Sequence, residues 1–300
     1  MRTRRDFLRD TLSGLMLAGL GQGCSLKETQ AAKNQEEVSP EPKRMPVLFV
    51  GHGSPMNVIE VNRWSRSFSD LAKKVPEPRA ILAISAHWYV DQTLVLAAAK
   101  PRTIHDFSGF PQALYEIEYP APGEKDLAQN IQIRLGQEDV FLNQDWGFDH
   151  GTWSVLRWMY PKAHIPVIQL SINKRLSLSE HAELARSLVE LREQGILILG
   201  SGNATHNLAD ALSRMRRGST ETPAWASRFD EKLKKILLER DTKALLKILD
   251  DEDGKLSHPL PDHFIPLIYA YGASDHQDRL RFPTEGFDLG SVSMRSVIFS

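Results

Sequence analysis

The 300-residue chain carries 37 lysines and arginines against 38 acidic residues, a net charge of −1, with 41% hydrophobic and 25% charged residues. This balance excludes the basic stripe of a nucleic-acid-binding protein and matches an ordinary globular composition, and no apolar run is long enough to span a bilayer. The single cysteine, Cys24, excludes a disulfide framework and a zinc–cysteine site, so any metal must be held by His, Asp or Glu.

Residues 1–23 read as an export signal. Arg4-Arg5 precede Phe7-Leu8, and a weakly hydrophobic stretch, Leu12-Ser-Gly-Leu-Met-Leu-Ala-Gly-Leu20, follows. The paired arginines predict a twin-arginine signal, which exports proteins already folded, over an ordinary secretory signal or an amphipathic helix. Gly21-Gln-Gly-Cys24 is a loose version of the lipoprotein cleavage box, with Gln22 atypical, so lipid attachment at Cys24 is a further expectation. The expected location is the periplasm, free or membrane-anchored as a lipoprotein, with the twin-arginine export machinery as a partner. Residues 24–44, rich in Lys, Glu, Gln and Pro and without periodicity, read as a flexible tether.

The stretch Pro46-Val-Leu-Phe-Val-Gly-His-Gly-Ser-Pro-Met56 opens the folded part. A continuous apolar run predicts a strand buried on both faces, and the glycines allow a tight turn that leaves His52 at the strand's carboxyl end. A helix is expected within 58–75, then a strand ending at His87, another at 93–98 and a loop-rich region over 101–123. A helix over 126–135 and a short one ending near Tyr160-Pro161 follow, with a strand over 165–172. Ser179 reads as the cap of an amphipathic helix over 179–194. Gly195 precedes a strand over 196–199, and helices are expected at 225–239, 242–250 and up to Gly272. The tail over 290–299 alternates as a final strand. Alternation of strands and helices predicts a single α/β domain over 45–300, with a central, largely parallel or mixed sheet flanked by helices.

Three histidines, His52, His87 and His206, lie just beyond apolar runs, and His263 lies at a helix start in Pro261-Asp-His-Phe264. Neutral imidazoles converging on one sheet edge make a divalent-metal site. Separations of tens of residues leave the alternative of scattered structural histidines open. No Walker loop or complete dinucleotide fingerprint occurs. There is no Gly-x-Ser-x-Gly elbow, so Ser54 and Ser201 read as loop hydroxyls. His105 and His150 sit in loops with Phe107, Phe110, Trp146, Phe148 and Trp153 close in sequence, which reads either as a pocket for an aromatic ring or as a satellite core. Asp149 and Asp262 are positioned in sequence to orient neighbouring imidazoles.

These stretches resemble a known family. Gly51-His-Gly-Ser-Pro55, Ser85-Ala-His-Trp88, Thr103-Ile-His-Asp-Phe107, Tyr119-Pro-Ala-Pro-Gly123, Trp146-Gly-Phe-Asp-His-Gly151, Gly202-Asn-Ala-Thr-His-Asn207 and Pro261-Asp-His-Phe264 run in order across the chain. Together they are similar to the 4,5-DOPA extradiol dioxygenase-like branch of the class III extradiol ring-cleavage dioxygenases. The resemblance implies that His52, His87 and His263 bind a metal and that His206 is either a fourth ligand or an acid/base. It also implies that His150 is the other acid/base candidate, that His105 and His150 contact the substrate's oxygens, and that a catechol such as DOPA is opened with O2. It implies Fe(II) for this activity, with Zn(II) able to occupy the same ligands. A zinc-dependent hydrolase, or a lipoprotein that only binds a metal or small molecule, is the alternative on the same histidines. His164, His181, His258 and His276 fall outside the matches and receive no role.

Overall fold

The structure, a computed structural model, describes residues 44–300. The export signal at 1–23, Cys24 and the tether up to residue 43 lie outside the described residues. Arg44 already belongs to the folded part, pairing with Glu193 (2.8 Å) and Asp275 (2.5 Å).

Strand β1 (Val47–Gly51) is buried along its whole length. Val47 and Phe49 pack into one core cluster and Leu48 and Val50 into a second, because successive strand side chains point to opposite faces. The chain continues through α1 (Arg63–Ala72), β2 (Ala80–Val90), β3 (Thr93–Leu96), α2 (Gln112–Tyr115), α3 (Lys125–Leu135), β4 (Val140–Asn143), α4 (His150–Met159) and β5 (Val167–Asn173). Next come α5 (Leu178–Arg186), β6 (Ile196–Gly202), α6 (Leu208–Arg216), α7 (Ala224–Glu239), α8 (Thr242–Leu245), α9 (Glu252–Ser257) and α10 (Ile265–Gly272). Strands β7 (Leu280–Thr284), β8 (Phe287–Asp288), β9 (Val292–Ser293) and β10 (Ser296–Phe299) close the fold.

Eight strands form one sheet in the order β4-β3-β5-β2-β6-β1-β10-β7, and β8 pairs with β9 apart from it. The four central strands, β5, β2, β6 and β1, are parallel. Strand β3 runs antiparallel to β5, and β10 runs antiparallel to both β1 and β7, so the sheet is mixed. One face is covered by α1 and α4 through Trp64, Phe68, Trp153 and Leu156. The other is covered by α3, α5, α7 and α10, with Ile131, Ala185, Phe229 and Leu267 among the contacts. This is the single α/β domain expected, with its cores on the two sides of the parallel strands.

Asn62, Asp149 and Ser177 cap α1, α4 and α5 by accepting first-turn amides, each stabilising its helix by about 1 kcal/mol. The cap of α5 is therefore Ser177, two residues before the expected Ser179. Ser177 has Glu180 three residues on, which returns a bond to its amide and completes a capping box. That helix also stops at Arg186, and a 3-10 turn over Val189–Gln194 completes the segment. The helix expected over 242–250 is confined to α8. The tail splits into β9 and β10, and the short strands β4 and β7 join the sheet's edges without having been anticipated.

Candidate metal centre

Strands β1, β2 and β6 run in parallel towards one edge of the sheet, where open α/β folds place their ligands. His52 follows β1 directly, and its amide donates to the Gly202 carbonyl at the end of β6 (3.0 Å). His87 lies inside β2 rather than at its end. Pairing with β5 shifts register between Ile84 and Tyr89, and such an irregularity re-aims a side chain without ending the strand. His150 is the first residue of α4, behind the Asp149 cap. His263 precedes α10, and its carbonyl accepts from the Asn203 amide (3.0 Å). A Cβ on Gly202 would stand 2.2 Å from that same carbonyl oxygen, so only glycine lets the His263 segment lie against β6.

The hydrogen bonds behind the rings decide which nitrogens face inward. Ser201 Oγ donates its one proton to the Gly151 carbonyl (2.5 Å), so towards His52 Nδ1 (3.0 Å) it can only accept. His52 therefore carries its proton on Nδ1. Asp106 Oδ2 lies 3.0 Å from His150 Nδ1 and 3.1 Å from His87 Nδ1, which makes both of these nitrogens donors. The Nε2 atoms of His52 and His87 are then bare and face each other at 3.2 Å. Two lone pairs at that distance repel unless a cation or proton lies between them, and a set of buried neutral imidazoles suits a metal ion.

His52, His87 and His150 bring one nitrogen each within 4.8 Å of one another. Ring spacing adds a second criterion. An ion about 2.0–2.1 Å from a ring nitrogen lies about 3.2 Å from that ring's centre, so rings sharing it at right to tetrahedral angles are about 4.5–5.2 Å apart. The pairs His52–His87 (5.0 Å) and His87–His263 (5.0 Å) have this spacing and His52–His263 (5.3 Å) lies just beyond its upper end, whereas His87–His150 are closer, at 3.9 Å.

Burial drives His52 and His263 well below the ordinary histidine range, and repulsion from neighbouring imidazoles acts in the same direction. Burial also lowers His150, against the pull of Asp106. At His87 the burial effect is outweighed by Asp106 and Asp149, and its pKa is raised. Burial alone would raise Asp106, but hydrogen bonds to His150 and His87 hold it far below the carboxylate range.

His206 is stacked on His263, with centroids 3.5 Å apart and planes 5° apart, and burial pushes its pKa down to about 3. His105 turns its Nε2 to the Ile117 carbonyl (3.0 Å) and meets Trp153, Phe107 and Tyr115 edge-on or tilted, so it belongs to the aromatic wall beside the cluster. Phe107 reaches on to His150 at 5.5 Å, whereas Trp146 stacks on Trp88. Phe148 and Trp153 are fully buried. Asp262 lies 3.1 Å from His263 Nδ1. Asp149 serves its helix and accepts from Ser85 Oγ (2.6 Å) and Gln169, rather than orienting the His150 ring.

A family model described as the catalytic LigB subunit of aromatic ring-opening dioxygenase matches residues 47–299. The chain belongs to this family. The protein of Escherichia coli (strain K12) named 4,5-DOPA dioxygenase extradiol is 46% identical over 258 residues, covering 85% of this chain and 94% of that protein. The Beta vulgaris protein of the same name is 37% identical over 260 residues, covering 84% and 96%. A crystal structure of an uncharacterized Escherichia coli K12 protein superposes with a TM-score of 0.75 at 41% identity, covering 86% of this chain and all of that one. Family membership and the three-histidine cluster make this protein a metal-dependent, extradiol-type ring-opening dioxygenase that acts on a catechol with O2.

Two members of the site carried no assigned role in the sequence reading. Asp106 stands inside a family stretch next to His105, and that adjacency was its only signal. Ser201, read as a loop hydroxyl, is a fully buried residue of β6 that fixes the His52 tautomer. Its signal was a polar residue closing the apolar run 196–199.

Proposed function

We propose that the protein uses Fe(II), held by His52, His87 and His263, to open a catechol of the DOPA type, with His150 as the acceptor of a phenolic proton. The observation that carries this reading is the inward-facing pair of bare Nε2 atoms on His52 and His87, 3.2 Å apart, with the His263 ring centre 5.3 and 5.0 Å from theirs. Bound Fe(II) would supply open positions for the diol oxygens and O2, together with the electron exchange that zinc lacks. His150 lies beside the centre with its Nδ1–H on the Asp106 carboxylate, which stabilises the imidazolium formed when Nε2 takes a proton. Stacking of His206 on His263 at 3.5 Å is too close for both to share one ion, and this favours His206 as a proton carrier over a fourth ligand. His105 and Phe107 line the side on which an aromatic ring would enter. The names of the Escherichia coli and Beta vulgaris relatives support DOPA as the first catechol to try.

A second reading makes His150 the third ligand, since its nitrogen lies within 4.8 Å of those of His52 and His87. Metal content separates the two: His263→Ala loses the ion on the first reading and His150→Ala on the second. The activity test is oxygen uptake by anaerobically purified protein loaded with Fe(II) or Zn(II), over a panel of catechols that includes DOPA. Uptake matched to a ring-opened product, with Fe(II) only and abolished in His52→Ala, is expected. Hydrolysis with Zn(II) and no uptake would overturn the choice of metal and reaction.

Export through the twin-arginine route and lipidation of Cys24 are also proposed, supported by Arg4-Arg5 and by Cys24 following residues 12–23. Cys24→Ser should move the protein from the membrane to the soluble periplasmic fraction, and unchanged fractionation would refute lipidation.

A further inference from the structure

We propose that Asp106 is a positioning residue that sets the metal ligand His87 and the proton acceptor His150 together, through one carboxylate oxygen. This rests on the roles proposed above for those two histidines. Oδ2 of Asp106 lies 3.0 Å from His150 Nδ1 and 3.1 Å from His87 Nδ1, while Oδ1 accepts from the His150 backbone amide at 2.8 Å. One anion thus holds two imidazoles whose centroids are 3.9 Å apart, and in each neutral ring it places the proton on Nδ1, leaving the Nε2 lone pair available.

The loop that carries Asp106 is itself fastened to the segment that carries His150. Ile104 N–H donates to the Phe148 carbonyl (2.7 Å), Phe148 N–H to the Arg102 carbonyl (2.8 Å), and Trp153 Nε1–H to the Ile104 carbonyl (2.9 Å). A Cβ on Gly147 would stand 2.1 Å from the Arg102 carbonyl oxygen, so the two segments meet at backbone distance. The carboxylate is therefore delivered by a short paired ribbon, and its side chain is 18% exposed. An amide cannot replace it. Asparagine has one carbonyl oxygen, which can serve the two Nδ1–H groups or the His150 amide but not both.

The test uses the full chain with Asp106→Asn, His150→Gln and the double substitution, titrated with Co(II) as the probe metal and assayed after loading with Fe(II). Asp106→Asn is expected to weaken Co(II) binding about 10–100-fold in both backgrounds, because that arm acts through His87. It is expected to lower kcat at saturating Fe(II) when His150 is present and to leave kcat unchanged in His150→Gln. Co(II) affinity within twofold of wild type, or an equal kcat loss in both backgrounds, overturns the proposal. If Asp106→Asn fails to fold, Asp106→Glu keeps the charge and moves the carboxylate by one methylene, and the same metal loss is expected. His52→Ala separates this proposal from the reading beneath it. If that variant still binds Co(II) normally, the histidine site falls and the proposal with it. If it does not bind while Asp106→Asn binds like wild type, only the role of Asp106 falls.

Discussion

Ser201→Ala tests how the protein chooses the His52 tautomer. The substitution removes a fully buried hydroxyl that accepts from His52 Nδ1 at 3.0 Å and donates to the Gly151 carbonyl at 2.5 Å. In the metal-free protein the His52 proton can move to Nε2 and be donated to His87 Nε2, 3.2 Å away, so His52 stays satisfied. The Gly151 carbonyl belongs to α4 and keeps its helical bonding. Loss of apo stability should then fall at the low end for a missing hydrogen bond, about 1 kcal/mol. Metal binding needs Nε2 bare, which returns the proton to an Nδ1 with no acceptor and costs about 1–3 kcal/mol more. That cost reads as metal affinity about 5–150-fold weaker. Urea unfolding of the apo protein and a Co(II) titration measure the two terms separately. Wild-type affinity in Ser201→Ala, alongside the small stability loss, would refute the tautomer argument.

Gly202→Ala should push the His263 segment off β6, because the new Cβ would meet its carbonyl oxygen at 2.2 Å. A stability loss of about 1–3 kcal/mol from overpacking and loss of metal content are expected by thermal melting and metal analysis, and normal metal content would count against His263 as a ligand. His181, buried and bonded to Tyr269, has its pKa pushed down to about 4 by burial. As pH falls from about 6.5 towards 4 the unfolded chain takes up a proton that the folded one refuses, so this contribution is full above 6.5 and lost across that window, up to about 3 kcal/mol. His181→Leu should flatten the acid limb of apo stability measured in urea, and an unaltered limb would refute the assignment. Asp278→Ala strands the Arg192 guanidinium, which is 1% exposed and loses bonds of 2.7 and 2.6 Å. A loss of about 3–5 kcal/mol is expected for breaking a buried pair, and a change in urea unfolding below about 1 kcal/mol would contradict the pair's isolation from water.

The α/β class was legible because the inner strands are continuous apolar runs, and a strand covered on both faces has no other way to read. The position of His52 followed from the same logic, since Gly51 and Gly53 end the run around it. His87 was placed near a strand end but lies within the strand, because the irregularity that turns it depends on pairing with Ile172 of β5, which local sequence does not encode. Strand β4 escaped notice because it is a half-exposed edge strand, with Phe141 44% exposed, so its pattern is neither a clean alternation nor a buried run. Ser177 and Ser179 are equal candidates by residue type, and Glu180 alone separates them. Asp106 was hidden for a different reason: a loop carboxylate looks like any solvated charge until a paired backbone ribbon turns it inward.

The chain positions that supply the metal-facing imidazoles have a consequence for biogenesis. Of the proposed ligands, His52 follows the first strand of the described chain and His263 precedes its last helix, and the glycine contact that seats His263 needs β6 already in the sheet. A nascent chain that stops short of His263 lacks one of the proposed ligands. If His52, His87 and His263 hold the ion as proposed, it differs from the zinc that organises a small metal-dependent domain, because its full ligand set forms only once β6 and the His263 segment have come together. On that ligand set, loading follows the folding of these segments rather than preceding it.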